Sequence, residues 1–214
     1  MTDSCLKFLD VGTGPAARRI AIRSREGTPP GLFWMGGFKS DMKGTKAAAL
    51  DEWAEKQGRA CTRFDYSGHG ESSGTFEDST IGRWLEDSLA AFGTLTGPQV
   101  AIGSSMGGWI ALLLARELRR IAATQASIAG MVLIAPAVSA AAKALLAKKE
   151  NVRVLEVPLA PGAKGRPPRP PSELSTVVRP ASSAASTSSA AVILRPSTVS
   201  ASSRRPASTV ASTK

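Results

Sequence analysis

The sequence predicts an α/β layered fold, from three observations: short apolar runs alternate with segments of helical periodicity, a G-x-S-x-G sequence stands between one such run and one such helix, and every aromatic residue lies between Phe8 and Trp109. Strands that alternate with helices pair in parallel through right-handed crossovers. A closed all-β or an all-α arrangement does not fit this pattern.

Taken in order, Lys7 to Val11 and Arg19 to Ser24 flank the turn-rich GTGP and predict an antiparallel hairpin, with Ile20 and Ile22 on one face and Arg19, Ala21 and Arg23 on the other. Gly31 to Met35 (GLFWM) is the short apolar run expected of a strand buried on both faces. Thr45 is the expected N-cap of a helix through Gln57, stopped by Gly58. Ala60 to Tyr66 (ACTRFDY) predicts the next strand, followed by the loop SGHGESSG. From Thr80 onward Ile81, Leu85, Leu89 and Phe92 recur at helical spacing, which gives one apolar face. Val100 to Gly103 predicts a strand, Met106 to about Ile121 a helix, and Met131 to Ile134 a last strand. Cys61 is expected in the core, Trp84 and Trp109 are expected to be packing residues, and Asp65, Tyr66, Ser67 and Ser72 are expected to stabilise the loop after the ACTRFDY strand.

Gly103-Ser104-Ser105-Met106-Gly107 falls at the strand-to-helix junction, the context a nucleophile elbow requires. A sharp turn there puts Ser105 in a strained backbone conformation with its hydroxyl projecting above the sheet, and Gly103 and Gly107 leave room where side chains would strike the neighbouring elements. The following helix contributes free N–H groups and the positive end of its dipole, so Met106 N–H is one candidate oxyanion donor.

Arg63 to Gly74 (RFDYSGHGESSG), Gly103 to Trp109 (GSSMGGW) and Met35 to Lys46 resemble the α/β hydrolases, and within them a branch of palmitoyl-protein thioesterases and acyl-glucuronide esterases with bacterial members. The resemblance covers about residues 5 to 137. It implies a second oxyanion donor in the loop Gly36-Gly37-Phe38-Lys39, with Phe38 N–H first and Gly37 next. It also implies attack by serine on an ester or thioester carbonyl, an acyl-enzyme, and its hydrolysis by water, with a His base oriented by an Asp. The expected substrates are small-molecule or acylated-protein esters and thioesters, with no cofactor and no metal.

The chain departs from this family after Ser105. The triad acid and His should follow the nucleophile in sequence, yet beyond Ser105 there is no Asp and no His, and the carboxylates are Glu117, Glu150, Glu156 and Glu173. No triad acid and no triad His can be assigned. The single His of the chain, His69, lies in the S-G-H-G turn, where the family places a packed residue; a base role for it is the lesser reading. Catalysis by this chain is accordingly expected to be incomplete, because loss of the triad His can cost about 10⁶ in turnover.

Composition divides the chain after Val138. Residues 1–138 carry 15 Lys and Arg against 14 acids, whereas residues 139–214 carry 12 against 3. Nine of the 14 Pro lie from Pro158 onward, and all eleven aromatic residues lie between Phe8 and Trp109. Residues 1–138 therefore read as the N-terminal part of an α/β-hydrolase domain, and 139–214 as a basic low-complexity Ala/Ser/Pro/Arg tail. Burial in the tail could not offset about 1 to 2 kcal/mol of backbone entropy per residue, so disorder is expected from about Pro158. The sheet is expected to stop before its last strands, which would leave the Met131 strand as an uncovered, aggregation-prone edge. The abrupt change after LIAPAV suggests a shifted reading frame or a truncated gene.

Other function classes are narrowed by counts. Two Cys, 56 positions apart, make neither a disulfide framework nor a paired-thiol motif, and one His excludes a His-rich metal site. The longest apolar run, Trp109 to Ala115, is far shorter than the ~20 residues of a membrane span. The N-terminus MTDSCLKFLD has neither signal-peptide nor transit-peptide character, so a cytoplasmic location is expected, or a mitochondrial one for a eukaryotic homologue. Two alternatives to the enzyme remain: a non-catalytic module that retains an acyl pocket, and a basic tail that attracts nucleic acid or anionic surfaces without specificity. No specific nucleic-acid recognition is expected, since no aromatic residues interleave the tail's charges. The sequence does not fix the oligomeric state.

Overall fold

The computed structural model describes residues 4–121 and 125–139, together with the backbone of two strands at Val152–Pro158 and Ser188–Leu194. In chain order the elements are β1 (Cys5–Val11), a 3-10 turn at Gly14–Ala16, β2 (Arg18–Arg25), β3 (Thr28–Met35), α1 (Thr45–Lys56), β4 (Arg59–Phe64), α2 (Ile81–Gly93), β5 (Gly97–Ser104), α3 (Met106–Leu118), β6 (Ala126–Ile134), β7 (Val152–Pro158) and β8 (Ser188–Leu194). They form one eight-stranded sheet in the order β1-β2-β4-β3-β5-β6-β8-β7.

The hairpin pairs antiparallel from Cys5 opposite Ser24 to Val11 opposite Arg18, and β2 joins β4 antiparallel. From β4 through β3 and β5 to β6 the pairing is parallel, with Met35 opposite Gly103 and Ser104 opposite Ile134. Parallel strands need both faces covered. On one face α2 and α3 lay Trp84, Phe92, Ile110 and Leu114 against Ile20, Phe33, Met35, Phe64 and Leu133. Phe33 stacks on Phe64 and meets Phe92 edge-on, both with centroids 5.3 Å apart. Full burial of each such side chain contributes about 1.5 to 3 kcal/mol. On the other face α1 covers Leu32, Trp34 and Cys61 with the small side chains of Ala47 and Ala54, which lets the helix approach closely.

Several sequence expectations are refined. Thr45 is the first residue of α1 and the cap is Gly44, whose backbone makes the turn without a side-chain bond. Thr80 does cap α2, its Oγ1 accepting from Arg83 N–H at 3.2 Å. Trp109, expected to be a packing residue, is 41% exposed, because the buried stripe of α3 runs through Met106, Ile110, Ala111 and Leu114.

The edge expected at β6 is corrected. β8 pairs antiparallel with β6 over Met131 to Ile134, and β7 pairs antiparallel with β8. A row of unpaired N–H and C=O groups is a template for any segment of suitable propensity, and SSAAVIL ends in the β-branched and aliphatic residues that strands favour. Ser188–Leu194 is thus a strand within the stretch expected to be disordered, while residues 159–187 and 195–214 of that stretch lie outside the described residues.

Candidate active site

Ser105 joins β5 to α3 with φ 53° and ψ −114°. This left-handed conformation costs a non-glycine residue on the order of 1 to 3 kcal/mol and persists only where the surroundings enforce it. Three backbone bonds do so: Ser105 N–H donates to Ile134 O at 2.9 Å, and Ser105 O accepts from Gly108 N–H at 3.0 Å and Ala137 N–H at 2.9 Å. The side chain is left exposed at the head of α3. Among the described residues only Lys39 (φ 54°) and Ala135 (φ 42°) are other non-glycine residues in this region. All three lie at the carboxyl ends of the adjacent parallel strands β3, β5 and β6, where loops can converge on a ligand.

The two glycines of the elbow are required by space. A Cβ on Gly107 would strike the carbonyls of Met35 and Gly36, with Met35 C at 2.7 Å. A Cβ on Gly103 would strike the Gly107 carbonyl and come within 2.7 Å of Gly108 Cα. The helix therefore descends directly onto the end of β3 and brings the loop after β3 to the serine. A Cβ on Gly37 would lie 3.4 Å from Ser105 Cβ. Ser40 N–H closes a turn on Gly37 O at 3.1 Å, and Phe38 stands between them. Its ring is 57% exposed and rests edge-on against Phe76 and Trp84, at 4.9 and 6.4 Å. Among the described residues no hydrogen bond engages Phe38 N–H or Met106 N–H.

His69 takes a different position. It is 5% exposed, ringed edge-on by Phe76, Trp84 and Tyr66 with centroids 5.1, 5.2 and 5.6 Å away. Its Nδ1 lies 3.3 Å from Ser67 O, and its buried Nε2 has no partner among the described residues. Burial pushes its pKa below the usual histidine value, so the neutral ring is favoured. It lines a cavity of about 300 Å³ with Lys39, Ser40, Asp41, Phe76 and Glu77, and Ser105 is not among the lining residues. Among the described residues no hydrogen bond joins His69 to Ser105.

The loop that holds His69 is tied to α2. Asp87, fully buried, accepts from Arg18 Nε at 2.6 Å and from Ser67 N–H and Oγ at 2.9 and 2.7 Å. Trp84 Nε1 donates to Ser67 O at 3.0 Å. Asp65 and Ser72 stabilise the same loop, Ser72 Oγ donating to Asp65 O at 2.6 Å and accepting from Ala21 N–H at 2.8 Å. Cys61, buried in the sheet, has its thiol pushed up to about 12 by desolvation and is chemically inert. Among the described residues no group of three metal-ligating side chains occurs, and no helix is long and apolar enough to cross a membrane.

The sequence did not disclose the bond from Ala137 N–H to Ser105 O, which ties the Ser105 turn to the segment after β6. A visible sign was the third glycine in GSSMGGW: a Cβ on Gly108 would stand 2.8 Å from Pro136 Cβ, so that position must stay bare for the segment to dock.

Residues 40–189 match the family model described as serine aminopeptidase, S33. Over 99 residues the chain is 44% identical to human "Palmitoyl-protein thioesterase ABHD10, mitochondrial", a match covering 46% of this chain and 32% of that protein. The aligned segment thus spans about a third of the length of that relative. A crystal structure of a putative hydrolase from Agrobacterium vitis superposes with a TM-score of 0.61 at 39% identity, over 74% of this chain and 66% of the other. Alpha/beta hydrolase domain-containing protein 10 from mouse gives 0.54 at 28% identity, over 71% and 61%. With the family model covering more than half of its length and these hydrolases sharing its sheet, the chain belongs to the serine aminopeptidase, S33 family of α/β hydrolases.

Proposed function

We propose that this protein is a serine hydrolase of carboxylic esters or acyl thioesters in which Ser105 is the nucleophile and Phe38 and Met106 N–H groups receive the oxyanion. The observation that carries the reading is the backbone of Ser105, held at φ 53° between β5 and α3 with its side chain exposed. Ser105 Oγ would bond to the substrate carbonyl carbon as its proton passes to a solvent water, which returns a proton to the departing alcohol or thiol. Collapse of the tetrahedral species would expel the alcohol or thiol as the acyl-serine forms, and water would then release the acid. The donors belong where charge develops, and loss of one such donor costs about 10² to 10³ in turnover. The relatives' name, palmitoyl-protein thioesterase, brings acyl thioesters into the proposed substrate class.

The base is the weak point of this chemistry. The chain has one His, which is buried in an aromatic box, and no Asp or His follows Ser105. That observation favours a second reading, a module that binds acyl groups without turning them over, in keeping with a domain at 1–138 followed by a 139–214 segment of shifted reading frame. Sequencing the gene in all three frames beyond codon 130 tests the frame shift, since an alternative frame restoring an Asp loop and a His loop is expected. The deciding experiment for the nucleophile is labelling with a fluorophosphonate. Labelling of the wild type and not of Ser105→Ala supports the hydrolase; an unlabelled wild type that still retains a palmitoyl ligand supports the binding module. The proposed compartment is the cytoplasm, and fractionation of the source cells tests it.

A further inference from the structure

The loop that would carry one oxyanion donor is fixed from a distance. Beginning at Gly36 and running into α1, it has few bonds of its own around Phe38. Its first carbonyl, Gly36 O, accepts from Tyr66 Oη at 3.4 Å. Its far end is gripped at Met42, which is 1% exposed. Met42 N–H donates to Asp65 Oδ1 at 2.6 Å, and Met42 O accepts from Arg63 Nη1 at 2.9 Å. Arg63 and Asp65 stand two apart at the end of β4, so they project to the same side and bracket both polar groups of one residue. Arg63 is held in turn by Asp51 at 2.8 Å and Ser4 Oγ at 3.1 Å.

Asp65 is an unusual choice for a purely structural clamp. It is 1% exposed, and no ion pair engages it among the described residues. Its other oxygen accepts from Glu71 N–H at 2.8 Å, and a side chain on Gly70 would strike the carboxylate. Desolvation pushes its pKa above the usual carboxylate range despite both N–H bonds. Burying a carboxylate without a cation opposes folding, whereas two bonds to two different loops fix those loops relative to each other.

We propose that Asp65 is a positioning residue for the oxyanion hole: by accepting Met42 N–H and Glu71 N–H together, it sets the 36–42 loop so that Phe38 N–H faces the space above Ser105. The inference rests on Ser105 as nucleophile and Phe38 N–H as an oxyanion donor. Asp65 touches no reacting atom and acts through the four-residue step from Met42 back to Phe38.

Asp65→Asn keeps the shape but offers one acceptor and one donor, so one of the two N–H groups meets another N–H. The experiment reads the second-order rate of fluorophosphonate labelling at Ser105 together with the backbone amide spectrum. Labelling by Asp65→Asn is expected to slow about tenfold or more, with displaced Phe38 and Met42 amide signals. The control Ile20→Val, in the core of β2, is expected to label at the wild-type rate. Unchanged labelling with an unmoved Phe38 amide in folded Asp65→Asn would overturn the proposal. If Asp65→Asn does not fold, acid titration of the wild type decides: the Phe38 amide should move with the same midpoint as those of Met42 and Glu71. Asp41, Glu71, Lys43 and Arg63 are the charged groups around this clamp. A Phe38 amide that ignores that midpoint overturns the proposal. If the wild type is not labelled at all, the nucleophile reading fails by itself, and displacement of the Phe38 amide still decides whether Asp65 positions the loop.

Discussion

Two glycine-flanked turns lie at the same end of the sheet, and they treat their central residues in opposite ways. The turn after β5 holds Ser105 outward in a left-handed conformation, with every main-chain contact tight and the side chain free. The turn after β4 folds His69 inward, its ring enclosed by Tyr66, Phe76 and Trp84. Serine is the weaker nucleophile in water and histidine the more versatile base, yet here the weaker group holds the exposed position. Reactivity of a residue type therefore says little until the backbone has decided which atoms meet solvent.

The largest expected effect on this contrast comes from removing the exposed hydroxyl. Ser105→Ala should abolish fluorophosphonate labelling while leaving the melting temperature unchanged or raised, because alanine removes the reactive group and no packing contact. Mass spectrometry of the labelled peptide checks it, and label found on any other residue would break the contrast. Next comes the steric requirement behind the outward turn. Gly107→Ala places a methyl against the carbonyls of Met35 and Gly36, and should destabilise by about 3 kcal/mol or more, measured by urea unfolding. A loss below about 1 kcal/mol would show that the elbow yields more easily than its backbone contacts imply.

The inward turn is tested by pH. Because burial lowers the His69 pKa, the folded protein resists protonation while the unfolded chain takes a proton near pH 6.5. The contribution is complete above about pH 6.5 and is lost as pH falls from there toward the lowered folded pKa, at no more than about 1.4 kcal/mol per pH unit. His69→Leu should remove this slope and leave Ser105 labelling intact. The chain's single His makes the wild-type titration unambiguous by NMR.

The smallest effect is expected on the clamp, and its sign is reversed. Asp65 has a raised folded pKa, so the folded state holds its proton at a pH where the unfolded chain has lost it. Stability of the wild type relative to Asp65→Asn should therefore improve as pH falls from neutral toward about 4, the ordinary carboxylate value. Parallel denaturation curves of the two proteins measure it, and a relative loss over that range would contradict the burial-driven shift.

These features were not equally legible in the chain. The alternation of GLFWM, ACTRFDY and the Ile81 to Phe92 stripe gave the parallel sheet, because burial on two faces or one leaves a periodic trace. Gly103 and Gly107 betrayed the elbow, because steric need at a turn selects a residue type. The exposure of Trp109 was hidden, since a 3.6-residue period through Met106, Ile110 and Leu114 leaves its neighbours ambiguous at one position. The pairing of β6 with β8 was hidden for another reason: it joins residues some sixty positions apart, and no local preference encodes a partner. The bond from Asp65 to Met42 has the same character, 23 residues apart and invisible to any window.

Trp109 also offers an optical handle. It lies one helical turn after Ser105 with its indole partly in water, whereas Trp84 is buried against the His69 ring. An acyl chain that settles over the serine would dehydrate the Trp109 indole and leave Trp84 untouched, a shift to shorter wavelength that is read cleanly once Trp53, 48% exposed on α1, is replaced by Phe. Occupancy could then be followed by light, without any need for turnover.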